Sequence, residues 1–351
     1  VNIQIWEEIM VITKRIFGTM PDGRDVLAYR IENSSGASVT LLTLGGIIQS
    51  LCMPDREGNL KDIVCGYDNL ESYLQAAGYQ GAIIGRVCNR IGNAEFTLDG
   101  KSYKLFVNSG TKDSLHGGKE GFDKKLFTPV TFENELGTGV RFYFVSPDGE
   151  ENYPGTLQVC VTYTFTEENR LILNYRAETD KPTVLNMTNH AYFNLTGVGG
   201  SSVMEHELFL NSDRYLPTDE DQIPLPCGFQ PVKDTIFDFT TLRPIRNPID
   251  HSFELRGFNG MVKRAAFLCE RTEGRSLTVY TSLPNLQLYT GCVMNGPELF
   301  KGGVPQRPLH ALCLETQLPN DAPNRPDFIP CVLRPGELYD ATTVLEFSTV
   351  K

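Results

Sequence analysis

Short segments dense in β-branched and aromatic residues recur from one end of this chain to the other, each closed off by polar turn residues. Val140 to Val145 (VRFYFV), Val159 to Thr166 (VCVTYTFT), Leu171 to Ala177 (LILNYRA), Ser276 to Thr281 (SLTVYT) and Leu286 to Thr290 (LQLYT) are the clearest. Such segments favour strands, because branched and ring side chains pack well on a pleated surface. The second and third, joined through Glu167-Glu168-Asn169-Arg170, predict a hairpin. Helical periodicity is scarce. Its best case runs from Asn69 to Ala77, with Asn69 capping LESYLQAA and Gly78 at the place of a C-terminal glycine. The chain is therefore expected to be all-β. Its 351 residues carry 32 glycines and 21 prolines spread throughout, with no low-complexity linker, so one large antiparallel β-sandwich with a few short helices is expected. That single domain should span residues 12–351, with residues 1–11 a leader or remnant. The stretch Asp213 to Pro248 is long and loop-rich, yet too aromatic for disorder.

A net charge of -11 argues against nucleic acid or an anionic membrane as partner, since both require a basic face. It also weakly disfavours a phosphorylated ligand. Nine cysteines stand singly, with no CxxC pair, which fits reduced thiols in a cytoplasmic protein and argues against a zinc cluster or a disulfide scaffold. No apolar run approaches the ~18 residues of a membrane span, and Glu7 and Glu8 interrupt any signal-like segment. The sequons at Asn33, Asn186 and Asn194 are then expected to stay unglycosylated. Monomer is the expected state for a domain of this size.

Two stretches carry proton-transferring side chains among apolar and amide residues. Leu185 to Leu195 (LNMTNHAYFNL) holds His190, and Cys313 to Asn320 (CLETQLPN) holds Glu315. Imidazole titrates near ~6.5 and a free carboxyl near ~4.3, and burial moves both towards working pH, where proton transfer is efficient. Each residue also has a bland reading, His190 as a hydrogen-bonded core histidine and Glu315 as the outward face of a half-buried strand.

Three further segments and one strand residue supply directional polar groups. Asn89 and Arg90 lie in GRVCNRI, His116 in DSLHGG, Asp250 in IDHSFEL, and Gln287 between Leu286 and Leu288. Sugar hydroxyls donate and accept at once, so amides, a carboxylate and a guanidinium suit a small polyhydroxylated ligand. Equally, Asn89 could cap a turn, Arg90 pair a surface acid, and His116 end a strand. His206, His251 and His310, in more polar or turn-like settings, are assigned solvent or structural roles.

The run from Ile84 to Phe127 (IGRVCNRIGNAEFTLDGKSYKLFVNSGTKDSLHGGKEGFDKKLF) resembles the corresponding segment of the aldose 1-epimerases, the galactose mutarotase family. So, in the same order, do ENYPGTLQVCVTYTF, LNMTNHAYFNL, YLPTDEDQIP, DHSFEL, LYTGCV and CLETQLPN. The resemblance extends over nearly the whole chain, in several independent motifs. It implies a β-sandwich of the galactose mutarotase type, no cofactor and no metal, and interconversion of the α and β anomers of free aldohexoses such as galactose and glucose. By the same resemblance His190 would be the general acid and Glu315 the general base, with Asn89, Arg90, His116, Asp250 and Gln287 holding the sugar. The chain departs from the family at Cys292, where Asn commonly follows YTG, and in its N-terminal leader.

Other classes remain open on the sequence. A glycoside hydrolase needs two carboxyl groups across the scissile bond, and Asp250 with Glu315 is the plausible pair. A non-catalytic sugar-binding protein would lean on aromatic platforms. The one tryptophan, Trp6, lies in the leader, and Tyr192 and Phe193 are expected to be core. A metal hydrolase ranks last, because the histidines lie in separate segments without HExxH-type spacing.

Overall fold

Alternation of buried and exposed side chains builds the main layer. In a computed structural model, which describes residues 10–351, Leu157–Phe165 and Arg170–Thr179 pair as the expected hairpin, Phe165 opposite Leu171. Asn169 turns it with φ of 58°, a left-handed conformation that asparagine tolerates. The hairpin sits inside a nine-stranded sheet that also takes in Gly137–Ser146, Tyr339–Thr349, Arg275–Thr281 and Lys263–Cys269. The expected strands are all present, four of the five longer than expected by one to four residues.

Two five-stranded sheets complete the sandwich. One holds the N-terminal strands from Val11–Thr19 to Leu60–Asp62, and the other runs in the order Gln230–Pro231, Ser212–Leu216, Asp250–Leu255, Asn285–Tyr289, Cys313–Gln317. One apolar cluster joins all three sheets, through Val39 and Leu51, Val161 and Leu173, and Phe253, Leu286, Leu288 and Leu314. The other face of this last sheet, which carries Asp250, Gln287 and Glu315, is thereby left for the site.

Two expectations need amendment. Met10 is buried and Val11 pairs with Glu32, so the fold begins ahead of the expected boundary at residue 12; residues 1–9, with Trp6, lie outside the described residues. The helix is Leu70–Gln75, with Asn69 Oδ1 accepting from Ser72 N at 2.9 Å, but it ends in extended backbone at Ala76 rather than at a glycine cap on Gly78. Lys124 Nζ supplies the missing cap by donating to Tyr73 O at 2.8 Å and Ala76 O at 3.3 Å, which satisfies carbonyls that a glycine turn would otherwise have served. Of the solvent or structural roles expected for them, His206 and His310 take structural ones: both are buried, His206 Nε2 accepts from Leu195 N at 3.0 Å, and His310 Nε2 meets Val198 O.

All nine cysteines are free thiols. The sequon asparagines are buried, and the Asn194 amide donates to Ser201 O at 2.8 Å and His310 O at 2.7 Å. A glycan has no access to an amide held that way.

Candidate active site

Register brings the first group of site residues together. Ser252, Gln287 and Glu315 lie side by side across three adjacent strands, and Asp250, Tyr289 and Cys313 form the neighbouring row on the same face. Residues two apart on a strand share a face, so one sheet presents both Asp250 and Glu315 to the same space.

A second group arrives from loops laid over that face. His190 follows the short strand Thr188–Asn189, and its backbone is fixed on both sides: His190 N donates to Ala82 O and His190 O accepts from Gly81 N, each at 2.9 Å. Arg90–Ile91 pairs with Ser114–Leu115, which sets Asn89 against His116. These two bond reciprocally, Asn89 N donating to His116 Nδ1 at 3.1 Å and His116 N donating to Asn89 O at 3.0 Å. Both have left-handed backbones, with φ of 59° and 52°. Such strain persists where the surroundings over-determine it, often at functional sites.

The result is a pocket of ≈ 320 Å³ whose wall includes Asn89, Arg90, His116, His190, Asp250 and Glu315. His190 Nε2 lies 3.7 Å from Glu315 Oε1. Gln287, 1% exposed, stands behind the wall and donates from Nε2 to Asp250 Oδ1 at 2.6 Å. Six of the seven residues singled out from sequence thus meet at one surface, and the seventh supports Asp250.

Burial favours the neutral form of both His190 and Glu315. Burial pushes the His190 imidazole down to about 4, and burial together with the nearby Asp250 charge pushes the Glu315 carboxyl well up, against a partial pull from Arg90. Burial also raises Asp250, with Arg90 and the Gln287 bond opposing. His116 is held well below the usual histidine range by burial and by its neighbours His190 and Arg90. Because its Nδ1 accepts from a backbone N–H, neutral His116 carries its proton on Nε2, a fixed donor.

Several residues of the site escaped the sequence reading. Tyr192 packs in an apolar core cluster, as expected, and in addition stacks on His190 with ring centroids 5.0 Å apart and lines the pocket. Tyr79 packs against His116 at 4.6 Å and stacks on His190 at 6.0 Å. Cys313 Sγ sits 3.4 Å from His190 Nδ1, leaving Nε2 to face Glu315. A chain of buried hydrogen bonds also runs in one direction. Cys88 Sγ donates to Gln317 Oε1 (3.4 Å), Gln317 Nε2 to Asn320 Oδ1 (2.7 Å), and Asn320 Nδ2 to Gln287 Oε1 (3.3 Å). It ends on the Asp250 carboxylate through Gln287. A carboxylate that only accepts closes it, so each amide along the chain has one satisfying orientation.

Separation along the chain does not keep the histidines apart, contrary to the sequence argument against a metal. Ligand-type atoms of His116, His190 and Glu315 lie within 4.8 Å of one another. The donor set nevertheless suits hydroxyls better than a cation, because His116 is committed to an N–H facing the pocket by its Nδ1 bond to Asn89.

An antiparallel sandwich with a buried imidazole and carboxyl at the wall of a polar pocket defines an acid–base site for a small polar ligand. Residues 28–346 match the family model described as Aldose 1-epimerase. The chain is 42% identical to galactose mutarotase of Bos taurus, over 96% of this chain and 98% of that protein, and 37% identical to aldose 1-epimerase of Escherichia coli strain K12, over 93% and 96%. Among solved structures it is similar to an aldose epimerase homologue from C. elegans, with TM-score 0.85, 30% identity and coverage of 92% and 98%. The chain belongs to the aldose 1-epimerase family.

Proposed function

We propose that this protein interconverts the α and β anomers of free aldohexoses, galactose and glucose among them, by opening and reclosing the ring. Opening requires loss of the proton on the C1 hydroxyl and gain of one on the ring oxygen. Glu315 as carboxylate takes the first, and His190 as imidazolium gives the second. The aldehyde rotates about its C1–C2 bond, and closure on the other face runs the transfers backwards, with neutral His190 accepting and protonated Glu315 donating. One proton therefore shuttles through the pair, no cofactor is consumed, and the protein returns to its starting state. Positioned acid–base pairs contribute roughly 10²–10⁴-fold.

The observation that carries this reading is the 3.7 Å approach of His190 Nε2 to Glu315 Oε1 at the pocket wall, with burial driving their proton affinities in opposite directions. The pair shares one proton, and the two half-reactions need it on His190 and on Glu315 in turn. Asn89, Arg90, His116 and Asp250 hold the hydroxyls, and Gln287 acts through Asp250. The His116 Nε2–H, or the Arg90 guanidinium, stabilises charge developing on oxygen. The same reading has the protein work as a monomer in the cytoplasm. Among the described residues no helix is long and apolar enough to cross a membrane.

Polarimetry tests the proposal. Freshly dissolved α-D-galactose and α-D-glucose should reach their usual final rotation faster with the protein than without it. No acceleration with either sugar, by folded protein, would reject the activity and favour a binding protein that retains the site.

A further inference from the structure

The strand that carries Glu315 meets His190 twice. Cys313 lies two residues before Glu315 on Cys313–Gln317, so both side chains leave the same face of the sheet. Cys313 Sγ stands 3.4 Å from His190 Nδ1, and Glu315 Oε1 stands 3.7 Å from His190 Nε2. One imidazole is thus held at both nitrogens by positions i and i+2 of a single strand. Tyr192 and Tyr79 stack on the same ring, with centroids 5.0 Å and 6.0 Å away and planes tilted by 24° and 27°, which fixes the plane in which its nitrogens point. Cys313 is 0% exposed, so its sulfur is not shared with water.

The reaction sets a condition on Nδ1 that the acid and the base do not meet by themselves. When His190 gives its Nε2 proton to the ring oxygen, the neutral imidazole must keep its other proton on Nδ1, because reclosure needs the Nε2 lone pair to take a proton back. A neutral histidine carries one ring proton, and the hydrogen bond made at one nitrogen decides the state of the other. In hydrolytic triads a buried carboxylate fills this role, and the wrong tautomer there is costly. Here the bond at Nδ1 goes to the sulfur of Cys313.

Sulfur suits the task because it is a weak acceptor. A carboxylate in its place would stabilise the imidazolium and, with Glu315 already at the other nitrogen, would hold the proton on the ring. A thiolate would do the same. Burial and the nearby Glu315 and Asp250 charges push the Cys313 thiol well up, so it stays neutral, and its S–H is a donor weak enough to go without an acceptor. The Tyr79, Tyr192 and Tyr289 phenols are also pushed up by burial and His116 is held neutral, which leaves Glu315, Asp250 and Arg90 as the charges in the pocket around the ring.

We propose that Cys313 is a positioning residue for the acid: its sulfur accepts the His190 Nδ1–H and so keeps the lone pair of the neutral ring on Nε2, towards Glu315 and the sugar. This rests on the anomerase reading and adds to it the group that makes the proton transfer reversible.

The test observes the ring itself. The full protein, labelled with nitrogen-15 and free of sugar at pH 7, is examined by long-range proton–nitrogen NMR of its histidine rings, with His190→Asn to assign the His190 signals. A neutral ring protonated on Nδ1 is expected. Cys313→Ala should move part of the ring population to the Nε2–H tautomer and lower kcat for galactose by about 10- to 100-fold with KM unchanged, the scale for removing a group that orients a functional histidine. Cys313→Ser, which keeps an acceptor of similar size, should restore the Nδ1–H tautomer and most of kcat. Its oxygen is the stronger acceptor, so it should also move the acid limb of the pH–rate profile to higher pH. A role in packing alone would move neither the tautomer nor the limb. A native ring protonated on Nε2, or a Cys313→Ala ring that stays on Nδ1–H, would overturn the proposal. Native protein that fails to speed mutarotation would overturn the anomerase reading instead, and the ring spectra, which need no turnover, keep the two failures apart.

Discussion

His190 Nε2 faces Glu315 Oε1 across 3.7 Å, and the two side chains are 6% and 2% exposed. At that separation, screened from water, the pair behaves as one proton-holding unit rather than as two residues with separate titrations.

The pH dependence of kcat/KM should be a broad plateau with two limbs. As pH falls towards about 4, where the His190 imidazole takes up its proton, the pair holds two protons and has no base, so activity declines. As pH rises past the elevated Glu315 value, the pair holds none and has no acid, so activity declines again. A pH–rate profile with a single limb centred near the ~6.5 of an ordinary histidine would contradict this.

His116→Ala should lower kcat/KM by about 10²-fold, the usual scale for removing one preorganised donor to a developing charge. His116→Gln, which keeps an N–H donor, should fall by less. Equal losses in the two variants, measured by polarimetry, would show that the Nε2–H does not contribute as a donor.

Asn320→Leu and Gln317→Leu should raise KM about tenfold by releasing Gln287, and with it Asp250, from a single orientation. In a Gln287→Leu background the same substitutions should cost nothing more. Additive losses in that background would mean that the hydrogen-bond chain does not act through Gln287.

Acid should destabilise the fold through His206. Burial holds its imidazole at about 4, and its Nε2 accepts from Leu195 N at 3.0 Å. Between ~6.5 and about 4 the unfolded chain binds a proton that the folded chain refuses, so stability falls as pH drops through this window and levels off below it. The difference corresponds to about 3 kcal/mol at most. Urea midpoints at pH 7 and pH 5 measure it, and His206→Asn should shrink the gap between them; an unchanged gap would exclude His206 as its source.

Much of this was legible in the sequence because strand periodicity reports which face a residue occupies. VCVTYTFT and LILNYRA gave their hairpin, and Glu315 and Gln287 sat where a polar residue interrupts a buried run. Periodicity does not report which strands become neighbours. Nothing local in DSLHGG and LNMTNHAYFNL says that the His116 and His190 rings will lie 5.2 Å apart. Asn320 and Gln317 look like ordinary residues near a strand end, and their place in a directional chain comes from the register of three strands far apart in sequence. Tyr192 is core, as its strand-like setting suggests, but that setting does not reveal that one side of its ring stacks on His190. Gly78 looked like a cap because the capping lysine, Lys124, comes from another part of the chain.

The central claim is that Glu315 is the base, and one measurement reaches it most directly: polarimetry of α-D-galactose with the native protein and with Glu315→Gln, alongside sugar binding to the same two samples. The account predicts that the native protein speeds the approach to the final rotation, and that Glu315→Gln binds galactose yet leaves the rate at that of buffer. A Glu315→Gln protein that still accelerates mutarotation as the native protein does would contradict it, and the base would have to be sought elsewhere in the pocket, with Asp250 first.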